Sequence, residues 1–304
     1  MSEVRTIPAA ASARALSDFL ALTKPRIGAM VGLSAFIGGL LAAGPGGSLA
    51  RIAEAAAYVT LAAASASVLN QVLERDVDAR MIRTQDRPLP AGRVSLRDAI
   101  LYGALLAVAG VGGLALRFNL LSALLSLATL FAYVAIYTPL KRASSLNTVI
   151  GAVPGAAAPL LGAVAMTGYA GGWGLALFAV LFVWQFPHFM AIAWLHRADY
   201  ARAGLRMLPA LPGCERMAAR AALAYALALL PVSLLPGTRG EAGIVYTSGA
   251  LALGLVYLGA SVRFAWRPDA RSARLVLFAS LVYLPLLYLV VLADPVIRVG
   301  ILHG

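Results

Sequence analysis

Residues 52–88 read IAEAAAYVTLAAASASVLNQVLERDVDARMIRTQDRP. The part from Ile52 to Leu73 is apolar and small-residue rich. At about 1.5 Å per residue it is long enough to cross a hydrocarbon core of roughly 30 Å. No helix breaker occurs before Pro88, so the spacing predicts a helix that overruns its apolar core into the charged stretch. At about 100° per residue, Asn70, Glu74 and Asp78 drift by only about 40° per step and form one oxygen-bearing stripe, while Asp76 points elsewhere. Two carboxylates and an amide about 6 Å apart at a membrane surface are hard ligands of the kind Mg²⁺ uses alongside phosphate oxygens.

Outward from this stretch the chain keeps the same character. It has 304 residues, 61% hydrophobic and only 12% charged, against roughly 25% charged in ordinary soluble domains. A mean hydropathy of +0.83 requires lipid as the solvent and excludes a soluble globular protein. The net charge of +12 does not indicate nucleic acid, because the basic excess is confined to connections between apolar runs. Cys214 is the only cysteine, which excludes an intramolecular disulfide, a CxxC redox pair and a cysteine-rich metal site. The first 26 residues contain no apolar run that makes a signal-peptide core, and Glu3 and Asp18 argue against an organelle transit peptide. A bacterial inner membrane is the expected location.

Nine segments are long enough to span: 27–43, 52–73, 99–116, 120–137, 146–166, 173–195, 221–235, 243–262 and 275–293. The expected fold is an all-α bundle of nine transmembrane helices. Residues 1–26 form a cytoplasmic N-terminal segment, 27–293 the single membrane domain and 294–304 an external tail. The seventh segment is short and broken by Pro231, and Phe118-Asn119 implies a tight hairpin. Alternate connections hold 21 of the 25 Lys and Arg residues, which predicts a cytoplasmic N-terminus and an external C-terminus. The two longest loops, after the second and sixth spans, then face the cytoplasm. Pro154, Pro159, Pro187 and Pro285 lie inside spans, where each frees a carbonyl and favours a kinked bundle around a cavity.

Arg75, Arg80, Arg83, Arg87 and Arg93 crowd the loop after the second span, more cations than orientation requires. Guanidinium forks match phosphate oxygens, so stripe and cluster together read as a diphosphate site. The competing reading is a solvated stripe in which Glu74 and Asp78 pair with Arg75 or Arg80. Lys24 and Arg26 flank Pro25 at the mouth of the first span, and Lys141 and Arg142 follow the fourth; either pair also serves as a topology anchor. Tyr137 and Asn147 add polar reach beside Lys141. Gln185 and His188 sit within the sixth span, where a titratable residue is a functional candidate or a cross-helix hydrogen-bonding group. His196 lies at that span's cytoplasmic end, and His303 in the terminal tail is expected to be inert.

Several blocks resemble the intramembrane (UbiA-type) prenyltransferases, and within them the heme-farnesylating branch. They are Leu22-Thr-Lys24-Pro25-Arg26, the run from Asn70 through Leu89, Tyr137-Thr-Pro-Leu-Lys141-Arg142, Trp184-Gln-Phe-Pro-His188-Phe and Asp199-Tyr-Ala-Arg-Ala-Gly204. The resemblance covers the first six spans and their loops. It implies farnesyl diphosphate as donor, heme b in the membrane lipid as acceptor, Mg²⁺ as cofactor and heme O for terminal oxidases as product. Association with heme A synthase or with terminal-oxidase assembly is left open. It further implies that Asn70, Glu74 and Asp78 hold the metal and, with Asp199, are catalytic. Lys24, Arg26, Arg75, Arg80, Arg83, Arg87, Lys141 and Arg197 are then expected to contact the diphosphate, and His188 or His196 the heme. Glu74 departs from the family's middle aspartate. The second acidic motif retains a single carboxylate, Asp199, which also has Arg197 and Arg202 within pairing distance along the chain. A prenyltransferase for a quinone precursor, a secondary transporter and a heme-carrying electron-transfer protein are the alternatives.

Overall fold

The computed structural model of the protein describes residues 9–44 and 46–302; Glu3, Arg5 and His303 lie outside the described residues. Among the described residues there is no strand, and nine helices are long and apolar enough to cross a membrane. In chain order, α1 (Ala9–Leu22) precedes the first span, α2 (Pro25–Ala43), and α3 (Leu49–Asp78) and α4 (Leu96–Arg117) follow. The fourth span consists of α5 (Leu120–Phe131), a π-helical segment (Ala132–Tyr137) and α6 (Thr138–Ala143). Then come α7 (Asn147–Thr167), α8 (Gly172–Leu195), the short α9 (Arg197–Arg202), α10 (Glu215–Thr238), α11 (Ile244–Trp266), α12 (Ala270–Ala293) and α13 (Pro295–Leu302). The nine-helix all-α architecture expected from the sequence is the one observed.

One local expectation is corrected. The seventh span is a full-length helix, α10, with Pro231 and Pro236 both inside it. In lipid an unpaired backbone costs more than a kink, so the helix continues through its prolines. The N-terminal segment and the C-terminal tail contain the helices α1 and α13. The expected overrun of the apolar core is observed: α3 continues past Leu73 into the charged stretch and stops at Asp78. Beyond it Arg80 and Met81 donate their N–H groups to Val77 O and Asp78 O at 3.0 and 3.2 Å, and Thr84 Oγ1 donates to Asp78 O at 2.9 Å. These local donors satisfy the last carbonyls of α3, which ends the helix without Pro or Gly.

The hairpin at Phe118-Asn119 is as expected. Asn119 caps α5 by accepting from Ser122 N at 2.9 Å, and its amide donates to Val164 O and Ala165 O at 2.9 and 3.1 Å, tying the hairpin to the end of α7. Helices α2 and α7 pack closely against each other. A Cβ at Gly38 would overlap the backbone of Pro159, and one at Gly162 the carbonyl of Ala35. Glycine at both places lets dispersion contacts form that lipid tails cannot outcompete. In the second half, Tyr246, Tyr257, Tyr283 and Phe264 fill the core between α8, α10, α11 and α12. Buried Tyr hydroxyls find carbonyls there, Tyr246 Oη donating to Ser233 O at 2.7 Å and Tyr257 Oη to Trp184 O at 3.0 Å. At the opposite end from the basic loops, buried Asp294 accepts N–H groups from Gly243, Tyr246, Val296 and Ile297, capping α11 and α13 together.

The alternation of spans brings the start of α2, the ends of α3 and α6 and the segment after α8 to one end of the bundle, the end that carries the basic loops.

Candidate active site

At that end a cavity of about 190 Å³ is lined by Lys24, Asn70, Glu74, Asp78, Arg83, Arg87, Tyr133, Tyr137, Lys141 and Tyr200, with Ile27, Met81, Leu205 and Met207 as apolar walls. The stripe on α3 faces it. Asn70, Glu74 and Asp78 are 1%, 7% and 1% exposed, while the Asp76 side chain is 83% exposed on the other side of the helix. Each carboxylate has a cationic partner from another segment. Lys141 Nζ donates to Glu74 Oε1 at 2.8 Å, and Arg87 Nη1 donates to Asp78 Oδ2 at 2.7 Å. The loop after α3 therefore folds back so that Arg87 covers the helix end it came from. Four cationic side chains face two carboxylates, which leaves the cavity net positive and suited to a polyanion.

Tyr133, Tyr137 and Lys141 form a second stripe at a spacing of four residues. Lys141 Nζ sits 4.5 Å from the centre of the Tyr137 ring, and the two tyrosine rings are 5.2 Å apart. Lys24 enters from the third side and donates to Asn70 Oδ1 at 3.4 Å. Its backbone (φ 53°, ψ 64°) is the only non-glycine with positive φ among the described residues, a conformation that costs roughly 1–3 kcal/mol. The surroundings enforce it. Gln71 Nε2 donates to Leu22 O at 2.7 Å, and Lys24 O accepts the first N–H groups of α2 from Ile27 and Gly28.

Burial, together with the Arg87 and Lys141 charges, pushes the Lys24 amine down to about 8, with Glu74 and Asp78 acting in the opposite direction. The charged form predominates below that pH and is lost as pH rises through it. Binding of a diphosphate ester is therefore expected to weaken progressively above pH 8, and Lys24→Arg should flatten this limb because a guanidinium keeps its proton. Titration calorimetry across pH 7–10 checks it; identical pH profiles for the two proteins would sink the assignment.

The model of the UbiA prenyltransferase family matches residues 31–282. The protoheme IX farnesyltransferase of Solibacter usitatus (strain Ellin6076) is 42% identical over 289 residues, 92% of this chain and 99% of the relative. That of Koribacter versatilis (strain Ellin345) is 40% identical over 298 residues, 95% of this chain and 96% of the relative. The chain belongs to the UbiA prenyltransferase family. Its fold matches that of digeranylgeranylglyceryl phosphate synthase, with a TM-score of 0.76 at 17% identity, covering 96% of this chain and 100% of the other. It also matches a UbiA homolog from Archaeoglobus fulgidus bound to GPP and Mg²⁺, with a TM-score of 0.67 at 19% identity over 90% of this chain and 99% of the other.

Not every candidate residue of this UbiA prenyltransferase reaches the cavity. Arg75 is one step, about 100°, past Glu74 on α3, and it points outward with Asp76 at 4.0 Å. Arg80, in the turn after α3, and Arg26, in the first turn of α2, are exposed. Arg197 is held at the end of α8, donating to Trp194 O at 2.9 Å and lying 4.0 Å above the Trp194 ring. Asp199 pairs with Arg202 at 3.0 Å, and it is the next residue, Tyr200, that lines the cavity. Arg93 bonds Asp18 at 3.0 Å and so clamps α1 to the loop.

The histidines lie outside this cavity as well. His188 stacks on Trp184 with centroids 5.0 Å apart, and its Nδ1 is 2.7 Å from Ser280 Oγ. Ser280 gives its one hydroxyl proton to Leu277 O at 2.6 Å. With Nδ1–H donating in the Ser280 contact, Nε2 carries a bare lone pair; the opposite tautomer reverses the two roles. His196 sits roughly 12 Å further along the same helix direction. Burial and the Arg83 charge push its ring below the usual imidazole range, with Asp199 opposing.

The donor set of the stripe fits a hard divalent cation. It offers an amide oxygen and two carboxylates, and Asp78 Oδ1 is buried with no hydrogen-bond partner. No group of three or more His, Cys, Asp or Glu side chains occurs among the described residues. The set is thus incomplete for a metal held by protein alone and appropriate for one whose other ligands come from waters and a diphosphate. A larger space of about 370 Å³ between α11 and α12 has an apolar lining that includes Phe278 and Tyr283, with no charged group to hold a diphosphate. Tyr133, Tyr200, Met81, Leu205 and Met207 were not singled out from the sequence. The four-residue spacing of Tyr133, Tyr137 and Lys141 was the available signal for the first.

Proposed function

We propose that this UbiA prenyltransferase transfers the farnesyl group of farnesyl diphosphate to a vinyl carbon of heme b, giving heme O. The observation that carries the prenyl-transfer half is the cavity in which the Asn70, Glu74 and Asp78 stripe faces Lys24, Arg83, Arg87 and Lys141. The choice of acceptor rests on the full-length similarity to proteins named protoheme IX farnesyltransferase.

In this reading the four cations bind the diphosphate oxygens and meet negative charge where it grows as the allylic C–O bond breaks. Asn70, Glu74 and Asp78 would hold Mg²⁺, which would supply Lewis-acid stabilisation of the same leaving group. Tyr133 and Tyr137 line the cavity and offer π density to the farnesyl cation. The vinyl terminus donates its π electrons to that cation, forming the new C–C bond. Water then adds to the adjacent carbon and loses a proton, which leaves a hydroxyethylfarnesyl group and free diphosphate. No protein nucleophile enters. The volume of the cavity suits a diphosphate head, so tail and porphyrin occupy the bilayer side.

His188 is the proposed heme contact: in the tautomer whose Nδ1–H donates to Ser280, Nε2 is free to ligate iron. His188→Ala is expected to weaken heme b binding at least tenfold, as measured by the Soret shift, and to spare Mg²⁺-dependent binding of farnesyl diphosphate. Unchanged heme affinity would return the role to His196. The protein is proposed to reside in a bacterial inner membrane with its N-terminus cytoplasmic and its C-terminus external, and to pass its product to heme A synthase or oxidase assembly. Reporter fusions at both ends test the orientation; a C-terminal reporter active only in the cytoplasm would overturn it. The activity itself is tested with purified protein in nanodiscs, farnesyl diphosphate, Mg²⁺ and either heme b or a quinone precursor. Heme O formation is expected, and prenylation of only the quinone precursor would replace the acceptor.

A further inference from the structure

The fourth span is interrupted where it meets the cavity. Between Ala132 and Tyr137 the helix widens to a π-helical turn, and the Thr138 N–H reaches back to Tyr133 O. Pro139 follows and brings no N–H with which to restore the ordinary ladder at its own position. Thr138 Oγ1 also donates to Tyr133 O, at 2.8 Å. A hydroxyl has one proton, and here it is committed to that carbonyl. The 3.0 Å contact between Thr138 Oγ1 and the Asn70 amide can then run only one way, with Asn70 Nδ2 donating. The opposite edge of the amide agrees, since Asn70 Oδ1 accepts from Lys24 Nζ at 3.4 Å. Turning the amide over would set a carbonyl oxygen against a protonless lone pair and an NH₂ group against an ammonium. Both side chains are buried, Asn70 at 1% and Thr138 at 3% exposure, so water is not available to relieve either clash.

We propose that Thr138 is a positioning residue that fixes the Asn70 amide with its oxygen, not its nitrogen, toward the cavity. There the oxygen is a ligand for the divalent cation that accompanies the diphosphate. The inference rests on the reading of Asn70 as a metal ligand and adds to it the group that makes Asn70 fit to be one. An amide presents an acceptor on one side and a donor on the other, and a cation tolerates only the first. The widened turn is what carries the Thr138 hydroxyl to the second.

The test is Mn²⁺ binding followed by electron paramagnetic resonance, on the full protein in nanodiscs with the non-transferable analogue farnesyl thiodiphosphate. Thr138→Val keeps the shape and removes the hydroxyl, and it is expected to weaken Mn²⁺ binding about 10–100-fold, the usual effect of losing a group that orients a metal ligand. Thr138→Ser should bind as the parent does. Adding Thr138→Val to Asn70→Asp should cost no further Mn²⁺ affinity, because a carboxylate has no wrong face. Unaltered Mn²⁺ binding in Asn70→Ala would overturn the ligand assignment itself. Weak binding in Asn70→Ala with normal binding in Thr138→Val would overturn only the role of Thr138. So would equal losses in the Ser and Val variants, or a loss from Thr138→Val that persists in the Asn70→Asp background, as a folding defect would give.

Discussion

Asp78→Asn is expected to lower kcat/KM for prenyl transfer by about a thousandfold, the scale set by removing one preorganised charge-stabilising group from a reaction centre. Asp76→Asn, two residues away, should be close to the parent. The contrast follows from the α3 helix, which buries Asp78 at 1% exposure and leaves the Asp76 side chain 83% exposed. The amide is the informative replacement. Asp78→Ala would leave Arg87 beside an empty space and add a stability loss to the catalytic one, since unpairing a buried ion costs up to about 3–5 kcal/mol where both partners are buried. Arg87 is about a quarter exposed, which lowers that figure. Steady-state rates on protein whose thermal unfolding is unchanged separate the two effects. Equal losses at positions 76 and 78 would refute the one-face arrangement.

Lys141→Met should raise the dissociation constant for farnesyl diphosphate more than a hundredfold, about 3 kcal/mol, while Arg142→Met should have little effect. The two residues are adjacent in sequence and equally suited to anchoring a span. Lys141 is 12% exposed, sits 2.8 Å from Glu74 and lies over the Tyr137 ring. Arg142 is exposed and reaches only Leu73 O, at 3.3 Å. Equilibrium binding of farnesyl diphosphate with Mg²⁺ checks both variants, and comparable losses would mean that bulk positive charge, not a placed ammonium, is what matters.

The span count and the α3 stripe were legible in the sequence because both depend on periodicity and length, which lipid enforces strictly. Burial of Asn70, Glu74 and Asp78 together follows from a rotation of about 40° per four residues, whatever the rest of the chain does. Arginine placement was not legible in the same way. Arg75, Arg80, Arg83 and Arg87 read alike as a cluster, but their directions depend on where α3 stops. That point is decided by local hydrogen bonds from Thr84 and the Arg80 and Met81 amides. With the helix continued to Pro88, Arg87 would point away from Asp78 along the axis; with the chain folded back, it lies on Asp78. Asp199 and Tyr200 show the same limit, since a helix as short as α9 has no apolar face long enough to set its phase from sequence.

The pairing of each carboxylate with a cation has a consequence for the order in which ligands arrive. A divalent ion alone would draw on carboxylates already paired with Lys141 and Arg87, and a diphosphate alone would draw the same two cations away from the same two acids. Either one therefore leaves buried charges without counterions. Arriving together, they can exchange partners, the metal taking the carboxylates and the phosphates taking Lys141 and Arg87, with Lys24 and Arg83 at hand for the remaining phosphate charge. Linkage then requires each to tighten the other by the same factor. On the proposed reading, prenyl diphosphates lacking a metal, and magnesium ions lacking a prenyl diphosphate, are both expected to be poor occupants, so that the site selects for the complex that is chemically ready to ionise.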